Sequence, residues 1–438
     1  MRFYNVRDRK EVCNFKEAVL KNVGRCGGLF VPCEMPFFSR DFFKSLAGLK
    51  FPDMSYEIAR HLFDKDDIPD SELEKIVRRA FNFRIELKEL RENVFVLELF
   101  HGPTLSFKDF AARFMAGYMS YLAQEIDREL TVLVATSGDT GSAIANAYYG
   151  VENVRVYVLY PSGRVSELQE KQIATLGGNI TALEVEGTFD DCQSLVKKAF
   201  VDPSLSRKLS LTSANSINVA RLIPQAFYYF YSSLSLSGLG YDRINISVPC
   251  GNFGNLTAGV LAKKMGAPVS KFIAATNAND TFTRYLRTGV FKPKETVKTL
   301  ANAMDVGNPN NFPRLFELYG GAVEKMKVDI DSFSFCDDEI RSAIQRVYEK
   351  YGYVMDPHGA CGFMGLEKYW NTSSYRTGEG SVFLETAHPG KFREEIAKLL
   401  GVEIELPSEL KRVASLNSSS HKISSDYSEF RDFLMSKV

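Results

Sequence analysis

The sequence predicts an α/β protein made of two α/β domains with mainly parallel sheets, preceded by a smaller N-terminal domain. Two segments, 130–160 and 243–276, follow the order strand, glycine-rich turn, helix, strand that is typical of a βαβ unit. Strands that alternate with helices in this way form parallel sheets covered by helices. The 438 residues also exceed the length that one hydrophobic core usually serves.

Composition narrows the class of protein. The chain is 45% hydrophobic and 25% charged, as in ordinary soluble proteins. Its 54 basic and 54 acidic residues cancel, so we expect no nucleic-acid or membrane-surface partner. Apolar runs are too short to cross a bilayer, and the charged first 20 residues do not resemble a signal peptide. Seven scattered cysteines without C-x-x-C spacing predict neither disulfides nor a metal site, and favour the cytoplasm.

The chain divides into three predicted domains. Residues 1–95 are mixed and helical, with turn signals at 24–28, and form the N-terminal domain. The first α/β domain covers 96–235, and the second covers 236–438 and ends in a helical tail. The Ser-rich stretch 232–238 is the expected linker between them. A second Ser-rich run, 415–420, precedes a last helix opened by Ser425 or Asp426.

Lys108 is the main candidate for chemistry. It stands between Ser106 and Asp109, which have the spacing of a helix-start box. The buried face of the expected helix carries Phe110, Phe114, Tyr118 and Leu122. A helix start and the neighbouring phenylalanines disfavour a charged amine, which is what a Schiff-base lysine requires. The alternative is an ordinary solvated lysine near a helix start.

Three further segments follow strand ends, where open α/β sheets bind ligands. Residues 136–141 offer hydroxyls and the Asp139 carboxylate, although a simple helix cap explains them equally well. The loop 251–255 fits a phosphate but matches neither the Walker A nor the dinucleotide motif; the alternative is a tight turn. Thr386 ends an apolar strand, where its hydroxyl can meet a ring nitrogen or simply satisfy the strand end.

Taken in order, these motifs resemble threonine synthase in its long bacterial and fungal form, a fold-type II pyridoxal-phosphate (PLP) enzyme with a tryptophan synthase β-like fold. The matching segments span nearly the whole chain. They are 27–32, 101–110, 137–141, 160–166, 168–171, 213–218 with Arg221, 251–255, 304–309, 356–360 and 386–389.

The resemblance implies a role for each cofactor-site residue. Lys108 would hold PLP covalently and later move protons. The residues implied to hold the cofactor phosphate are Gly251, Asn252, Phe253 and Asn255. Thr386 would face the pyridine nitrogen, and a neutral hydroxyl there disfavours transamination. Asp139 would lie near the 3′-oxygen, where many fold-type II relatives carry Asn.

The implied reaction converts O-phospho-L-homoserine and water to L-threonine and phosphate by γ-elimination and β-addition, the last step of threonine biosynthesis. It needs a second anion site for the substrate phosphate. Our candidates are Arg164, Asn218 and Arg221, supported by Ser162, Ser166 and Asn215. An arginine fork matches phosphate oxygens, but surface or ion-pair arginines are the alternative.

Two other functions stay open at this point. The same motifs suit a PLP-dependent phospho-lyase that releases 2-oxobutyrate, ammonia and phosphate. A non-catalytic or nucleotide-binding α/β protein is the third possibility, against which the missing nucleotide motifs count. For the enzyme we expect a small-molecule substrate and a monomer or homodimer. Neither His101 nor His388 is assigned a catalytic step.

Overall fold

The computed structural model describes residues 1–437. Its strands are β1 Arg2–Asn5, β2 Asp8–Asn14, β3 Phe30–Pro32, β4 Glu86–Arg91, β5 Val94–Glu98, β6 Leu130–Ala135, β7 Val154–Pro161, β8 Ile180–Glu186, β9 Ser210–Ser213, β10 Ile244–Pro249, β11 Lys271–Thr276, β12 Ile330–Ser334, β13 Gly380–Glu385 and β14 His421–Ser424.

The helices are α1 Phe15–Lys21, α2 Arg40–Ser45, α3 Phe51–Ala59, α4 Asp70–Ala80, α5 Lys108–Glu125, α6 Asp139–Tyr148, α7 Glu167–Ala174, α8 Phe189–Val201, α9 Pro203–Lys208, α10 Val219–Leu222, α11 Ala226–Gly238, α12 Gly254–Lys264, α13 Thr281–Thr288, α14 Phe312–Leu318, α15 Val323–Asp329, α16 Asp337–Tyr351, α17 Pro357–Trp370, α18 Arg393–Leu400, α19 Ser408–Ala414 and α20 Tyr427–Met435. Short 3-10 turns lie at Arg25–Gly27, Ile223–Gln225, Asn302–Met304 and Pro389–Phe392. Within residues 1–437, the helices are all too short or too polar to span a membrane.

The strands form three sheets. The largest has the order β12-β11-β10-β13-β5-β4 and is parallel except for its edge strand β4, which runs antiparallel to β5. The second, β14-β8-β7-β6-β9, is parallel throughout. A small antiparallel sheet, β2-β1-β3, belongs to the N-terminal region. The predicted α/β class with mainly parallel sheets is confirmed.

Sequence patterns explain the central elements. Every residue of β6 and of β10 is buried, as expected for parallel strands covered by helices on both faces. The predicted face of α5 is also confirmed, because Phe110, Phe114, Tyr118 and Leu122 are all fully buried. Both βαβ units form. Helix α6 begins at Asp139, where the Thr136 hydroxyl accepts the N–H groups of Gly138 and Gly141 at 3.0 and 2.8 Å.

Both predicted domain boundaries fall inside regular elements, at residue 95 in β5 and at residue 235 in α11. Strands β4 and β5 join the large sheet instead of an N-terminal unit, because β5 pairs with β13. The expected linker 232–238 is the end of α11, where the buried Ser233 hydroxyl donates to the Tyr229 carbonyl at 2.7 Å. Asp426 caps α20 as predicted, and β14 returns to pair with β8.

Candidate active site

The candidate site lies between the carboxyl edges of the two parallel sheets. Strands β10, β13 and β5 are neighbours in the large sheet, and each is followed by one of the predicted segments: the loop 250–253, Thr386, and the segment that leads to Lys108. Strand β6 of the other sheet is followed by Asp139. The two sides meet where Lys108 Nζ lies 3.6 Å from Asp139 Oδ2. Sheet topology therefore brings together residues that are far apart in sequence.

Backbone pairing holds Lys108 beside Thr386. The Phe107 N–H donates to the Thr386 carbonyl at 2.9 Å, and the His388 N–H donates to the Leu105 carbonyl at 3.0 Å. Leu105 adopts a left-handed conformation with φ of 58°, which turns the chain into α5. Lys108 is thus the first residue of α5, and the turn before it is hydrogen-bonded to the segment that follows β13.

The start of α5 differs from the predicted box. The Asp109 carboxylate accepts the Thr104 N–H at 2.8 Å and the Thr104 hydroxyl at 2.6 Å, and does not cap the helix backbone. The Ser106 hydroxyl accepts a long hydrogen bond, 3.3 Å, from the Lys108 N–H. A buried carboxylate needs strong donors, and the turn before the helix supplies two of them. Asp109 therefore fastens this turn.

The Lys108 amine is largely buried, beside one aromatic ring. Its side chain is 14% exposed, and Nζ lies 5.1 Å from the centre of the Phe107 ring. Burial lowers the pKa of Lys108 below its ordinary value, and the positive charges of Lys391 and Arg221 act in the same direction. The carboxylate of Asp139 offsets part of this effect. The pKa of Lys108 is therefore lower than that of a solvated lysine, which is the direction that the sequence predicts.

Asp139 is buried, and its Oδ1 is bound twice. Lys391 Nζ lies 2.6 Å away, and the Gln169 amide donates to the same oxygen at 3.0 Å. Burial by itself raises the pKa of Asp139, but the charges of Lys391 and Lys108 outweigh it and hold this pKa well below its usual range. The sequence analysis missed Lys391. The one sign of it in the sequence is its position, two residues after the 386–389 motif.

The loop after β10 ends in an uncapped helix start. Phe253 adopts a left-handed conformation with φ of 61°, and no side chain caps the amino end of α12. The Asn255 carboxamide oxygen accepts the hydroxyls of Tyr228 and Tyr229, both at 2.6 Å. Its buried Nδ2 has no hydrogen-bond partner in residues 1–437. The uncapped helix start and the free Nδ2 of Asn255 are thus donors within one short segment, and such donors suit an anion.

A long segment covers this loop. Asp305 accepts the N–H and hydroxyl of Thr299 at 3.0 and 2.7 Å, and the amide of Asn277 at 2.8 Å. The backbone N–H groups of 310–311 donate to the side-chain and main-chain oxygens of Asn252, each at 3.2 Å. The 304–309 motif thus folds over the glycine loop and uses the Asn252 side chain for support.

Arg221 is an unpaired buried cation. It is 3% exposed, its Nη1 donates to the Ala214 carbonyl at 2.6 Å, and its Nε has no partner in the described residues. It forms no ion pair with a carboxylate within residues 1–437, and burial lowers its pKa to about 10. A guanidinium in this state is stabilised by an incoming anion.

Three of the other predicted phosphate ligands, Ser162, Arg164 and Ser166, are more exposed than Arg221. Arg164 and Ser166 are exposed. Hydrogen bonds from Thr188 lower the pKa of Asp191, and the charge of Arg164 acts in the same direction. Ser166 caps α7, and the Ser162 hydroxyl donates to Glu184. We call these three residues the rim: they are exposed or partly exposed, whereas Arg221 is buried.

Two predicted ligands have their amides occupied by the backbone. Asn218 Nδ2 donates to the carbonyls of Val19 and Ser213, and its Oδ1 caps α10 by accepting the Ala220 N–H at 3.0 Å. Asn215 Nδ2 donates to the Ala135 carbonyl at 3.0 Å. These hydrogen bonds hold the segment that presents Arg221. Contact of the two side chains with the substrate phosphate stays a prediction.

A possible cation site at Glu86, Glu98 and His101 is already neutralised. Potential ligand atoms of these three residues lie within 4.8 Å of one another. The Lys88 amine lies 3.1 Å from Glu86 and 2.9 Å from Glu98, so it occupies the position of a cation. We assign no metal there.

Comparisons with known proteins agree with this geometry. Three family models match successive parts of the chain: "Threonine synthase N terminus" at 2–81, "Pyridoxal-phosphate dependent enzyme" at 78–386, and "Threonine synthase, C-terminal" at 359–434. Threonine synthase of Escherichia coli is 44% identical over 435 residues, which is 99% of both chains. The Saccharomyces cerevisiae enzyme is 33% identical over 92% of this chain and 91% of its own.

Solved structures give the same result. The fold matches the crystal structure of Escherichia coli threonine synthase with a TM-score of 0.92 and 43% identity, over 100% of both chains. It matches PLP-bound threonine synthase of Brucella melitensis with a TM-score of 0.92 and 34% identity, over 99% of this chain and 98% of the other. The chain therefore belongs to the threonine synthase family of pyridoxal-phosphate-dependent enzymes.

Proposed function

We propose that the protein is a PLP-dependent lyase that converts O-phospho-L-homoserine and water to L-threonine and phosphate. One observation carries the proposal: the Lys108 amine, disposed by burial to be neutral, faces Asp139 at the meeting point of two sheet edges. This arrangement occurs in a chain that matches threonine synthases over its full length. The activity places the protein at the last step of threonine biosynthesis.

The residues present fit the cofactor. The free Nδ2 of Asn255 and the uncapped start of α12 suit its phosphate, together with the backbone of Gly251, Asn252 and Phe253. The Thr386 hydroxyl ends β13 beside the Lys108 turn, where it suits the ring nitrogen, and Asp139 suits the 3′-oxygen. When bound, PLP supplies an acceptor for the electrons released when the substrate's C–H bond breaks.

The chain's own groups then bind the substrate and move its protons. The neutral Lys108 amine can take the protons from Cα and Cβ and return them to Cγ and Cα, while phosphate leaves Cγ and water supplies the hydroxyl at Cβ and a proton for the phosphate. Asp139 orients the ammonium between these transfers. Arg221 binds the substrate phosphate, since it is a buried cation that has no carboxylate partner and whose Nε has no hydrogen-bond partner in residues 1–437. Arg164, Ser162 and Ser166 add donors from the rim. Asn215 and Asn218 hold the Arg221 segment.

Product analysis tests this function. The PLP-loaded protein, incubated with O-phospho-L-homoserine, should release threonine and phosphate in equal amounts. Ion chromatography for phosphate and amino-acid analysis for threonine measure the two products. Phosphate accompanied by 2-oxobutyrate and ammonia would establish the phospho-lyase instead, a function that the comparisons do not favour. Absence of any phosphate release would contradict both.

Replacing Gly251 with Ala tests the phosphate loop. The added Cβ would lie 2.8 Å from the Met304 Cα, a backbone atom that cannot turn away. We expect a loss of about 1–3 kcal/mol in stability, and a loss of tenfold or more in PLP affinity, measured by titration of the apoprotein.

A matched control is Gly238→Ala at the end of α11, where a Cβ meets no atom within 4 Å and φ is not positive. That variant should keep both the melting temperature and the PLP affinity of the parent. Unchanged affinity in Gly251→Ala would contradict the assignment of this loop to the cofactor phosphate.

We also propose a cytoplasmic enzyme, monomeric or homodimeric, that acts without a nucleic-acid partner. The balanced charge of 54 basic and 54 acidic residues and the seven free thiols support this setting. Sedimentation of the purified chain gives its oligomeric state, and a species larger than a dimer would contradict the proposal.

A further inference from the structure

We propose that Lys391 is a positioning residue of the active site, which holds one oxygen of Asp139 so that the other oxygen faces Lys108. The inference rests on the proposed function, in which Lys108 is the group that reacts with PLP. Lys391 lies outside every segment that the sequence analysis assigned to the site.

The contacts of Lys391 join three parts of the cleft. Its own segment, Pro389–Phe392, follows β13. Its Nζ lies 2.6 Å from Asp139 Oδ1, on the far sheet, and donates at 3.0 Å to the carbonyl of Thr104, in the turn before Lys108. The side chain is 1% exposed, so no water competes strongly for these contacts. Lys391 therefore ties together the turn that carries Lys108 and the carboxylate that Lys108 faces.

The arrangement divides one negative charge between two amines. Asp139 contacts Lys391 at 2.6 Å and Lys108 at 3.6 Å, so Lys391 holds the closer ion pair. Two like charges that share one carboxylate disfavour each other. Because Lys391 lies closer to the carboxylate, its ammonium form is stabilised more strongly than that of Lys108. Lys108 is therefore the amine that loses its proton more easily. Without the Lys391 charge, the carboxylate would serve Lys108 alone and would stabilise its ammonium form.

The remaining charges around the pair do not change this sign. Besides Asp139 and Lys391, Lys108 feels the guanidinium of Arg221, which also disfavours its charge. Asp139 otherwise contacts the neutral amide of Gln169 at 3.0 Å. Asp109, the nearby buried carboxylate, feels Lys391 and Arg113, and its donors come from Thr104. When Lys391 is removed, the negative charge of Asp139 is therefore no longer shared and stabilises the Lys108 ammonium alone.

The test is the pH dependence of PLP attachment to the full-length apoprotein. The rate constant is followed by visible absorbance from about pH 6 to pH 10, since only the neutral amine reacts. Borohydride reduction and peptide mapping then locate the adduct. In Lys391→Gln we expect the midpoint to rise by about one pH unit or more, so that the rate near pH 7 falls about tenfold. Lys391→Met should behave in the same way and replaces the Gln variant if that one fails to fold.

Two controls isolate the charge of Lys391. Lys391→Arg keeps the charge and should keep the midpoint near that of the parent. Gln169→Met removes a hydrogen bond from the same Asp139 oxygen without removing a charge, and should also leave the midpoint in place.

The outcomes separate the two proposals. A parent protein that forms no adduct at Lys108 would refute the proposed function. An adduct at Lys108 whose midpoint is the same in Lys391→Gln, Lys391→Met and the parent would refute the role of Lys391, even if PLP affinity falls, because a merely structural lysine lowers affinity without moving the midpoint.

Discussion

Replacing Lys108 with Ala is expected to replace the imine absorbance of the PLP-loaded protein with that of the free aldehyde, and to reduce threonine formation by at least about a thousandfold. The substitution removes both the covalent attachment point and the amine that moves protons, and proton transfer alone is commonly worth about 10²–10⁴ in rate. The remaining contacts at the Asn255 loop should still bind PLP, only more weakly. Absorbance spectra and an assay for released phosphate measure the two effects.

Two controls accompany this variant. Lys411→Ala removes a lysine that is 57% exposed and forms only a surface ion pair, so it should retain the spectrum and the rate. Lys108→Arg keeps a positive charge near Asp139 but cannot condense with an aldehyde, and should therefore match Lys108→Ala. An imine absorbance that persists in either Lys108 variant would show that another amine holds the cofactor.

Replacing Arg221 with Met should lower kcat/KM for O-phospho-L-homoserine by about a hundredfold or more, because charge-assisted hydrogen bonds are each worth about 1.5–3 kcal/mol. PLP affinity should change by less than about threefold, a difference below 1 kcal/mol. The protein should remain folded, since the side chain lost is a buried cation with no carboxylate partner. Steady-state kinetics and PLP titration measure the two quantities separately.

Arg164→Met is the matched comparison. Arg164 is exposed at the rim, so its loss should cost less, about tenfold or below in kcat/KM. An equal loss of PLP and substrate binding in Arg221→Met would assign Arg221 to the cofactor instead. A larger effect at Arg164 than at Arg221 would contradict this assignment and indicate that the substrate phosphate binds at the rim.

Local patterns predicted the parts of the fold that depend on local physics. Continuous apolar strands and glycine turns identified both βαβ units, and a period of four residues identified the buried face of α5. The prediction of a linker at 232–238 was wrong because a high serine content is a weak sign of a loop. Buried neighbours kept the stretch helical, and the hydroxyl of Ser233 found a backbone carbonyl within the helix.

The site shows the same division. Motifs picked out Lys108 from a helix-start pattern, and Asp139, the 251–255 loop and Thr386 from the strand ends that they follow; the structure brings Lys108 and Asp139 within 3.6 Å of each other. Burial and pairing are tertiary properties, so Arg164 and Arg221 were indistinguishable in sequence although one is exposed and the other 3% exposed. Lys391 could not be linked to Asp139 from sequence, because the two are 252 positions apart and lie beside different sheets.

The crossing of the chain between its sheets has a consequence for synthesis on the ribosome. Strand β5 is complete early but needs β13, which emerges almost 300 residues later, and β8 keeps an open edge until β14 has been made. Contacts of such long sequence separation slow folding, and unpaired strand edges recruit other chains while they wait. The nascent chain therefore carries two unfinished sheets through most of its translation. We expect its yield to depend on chaperones far more than that of a protein whose domains close one after another.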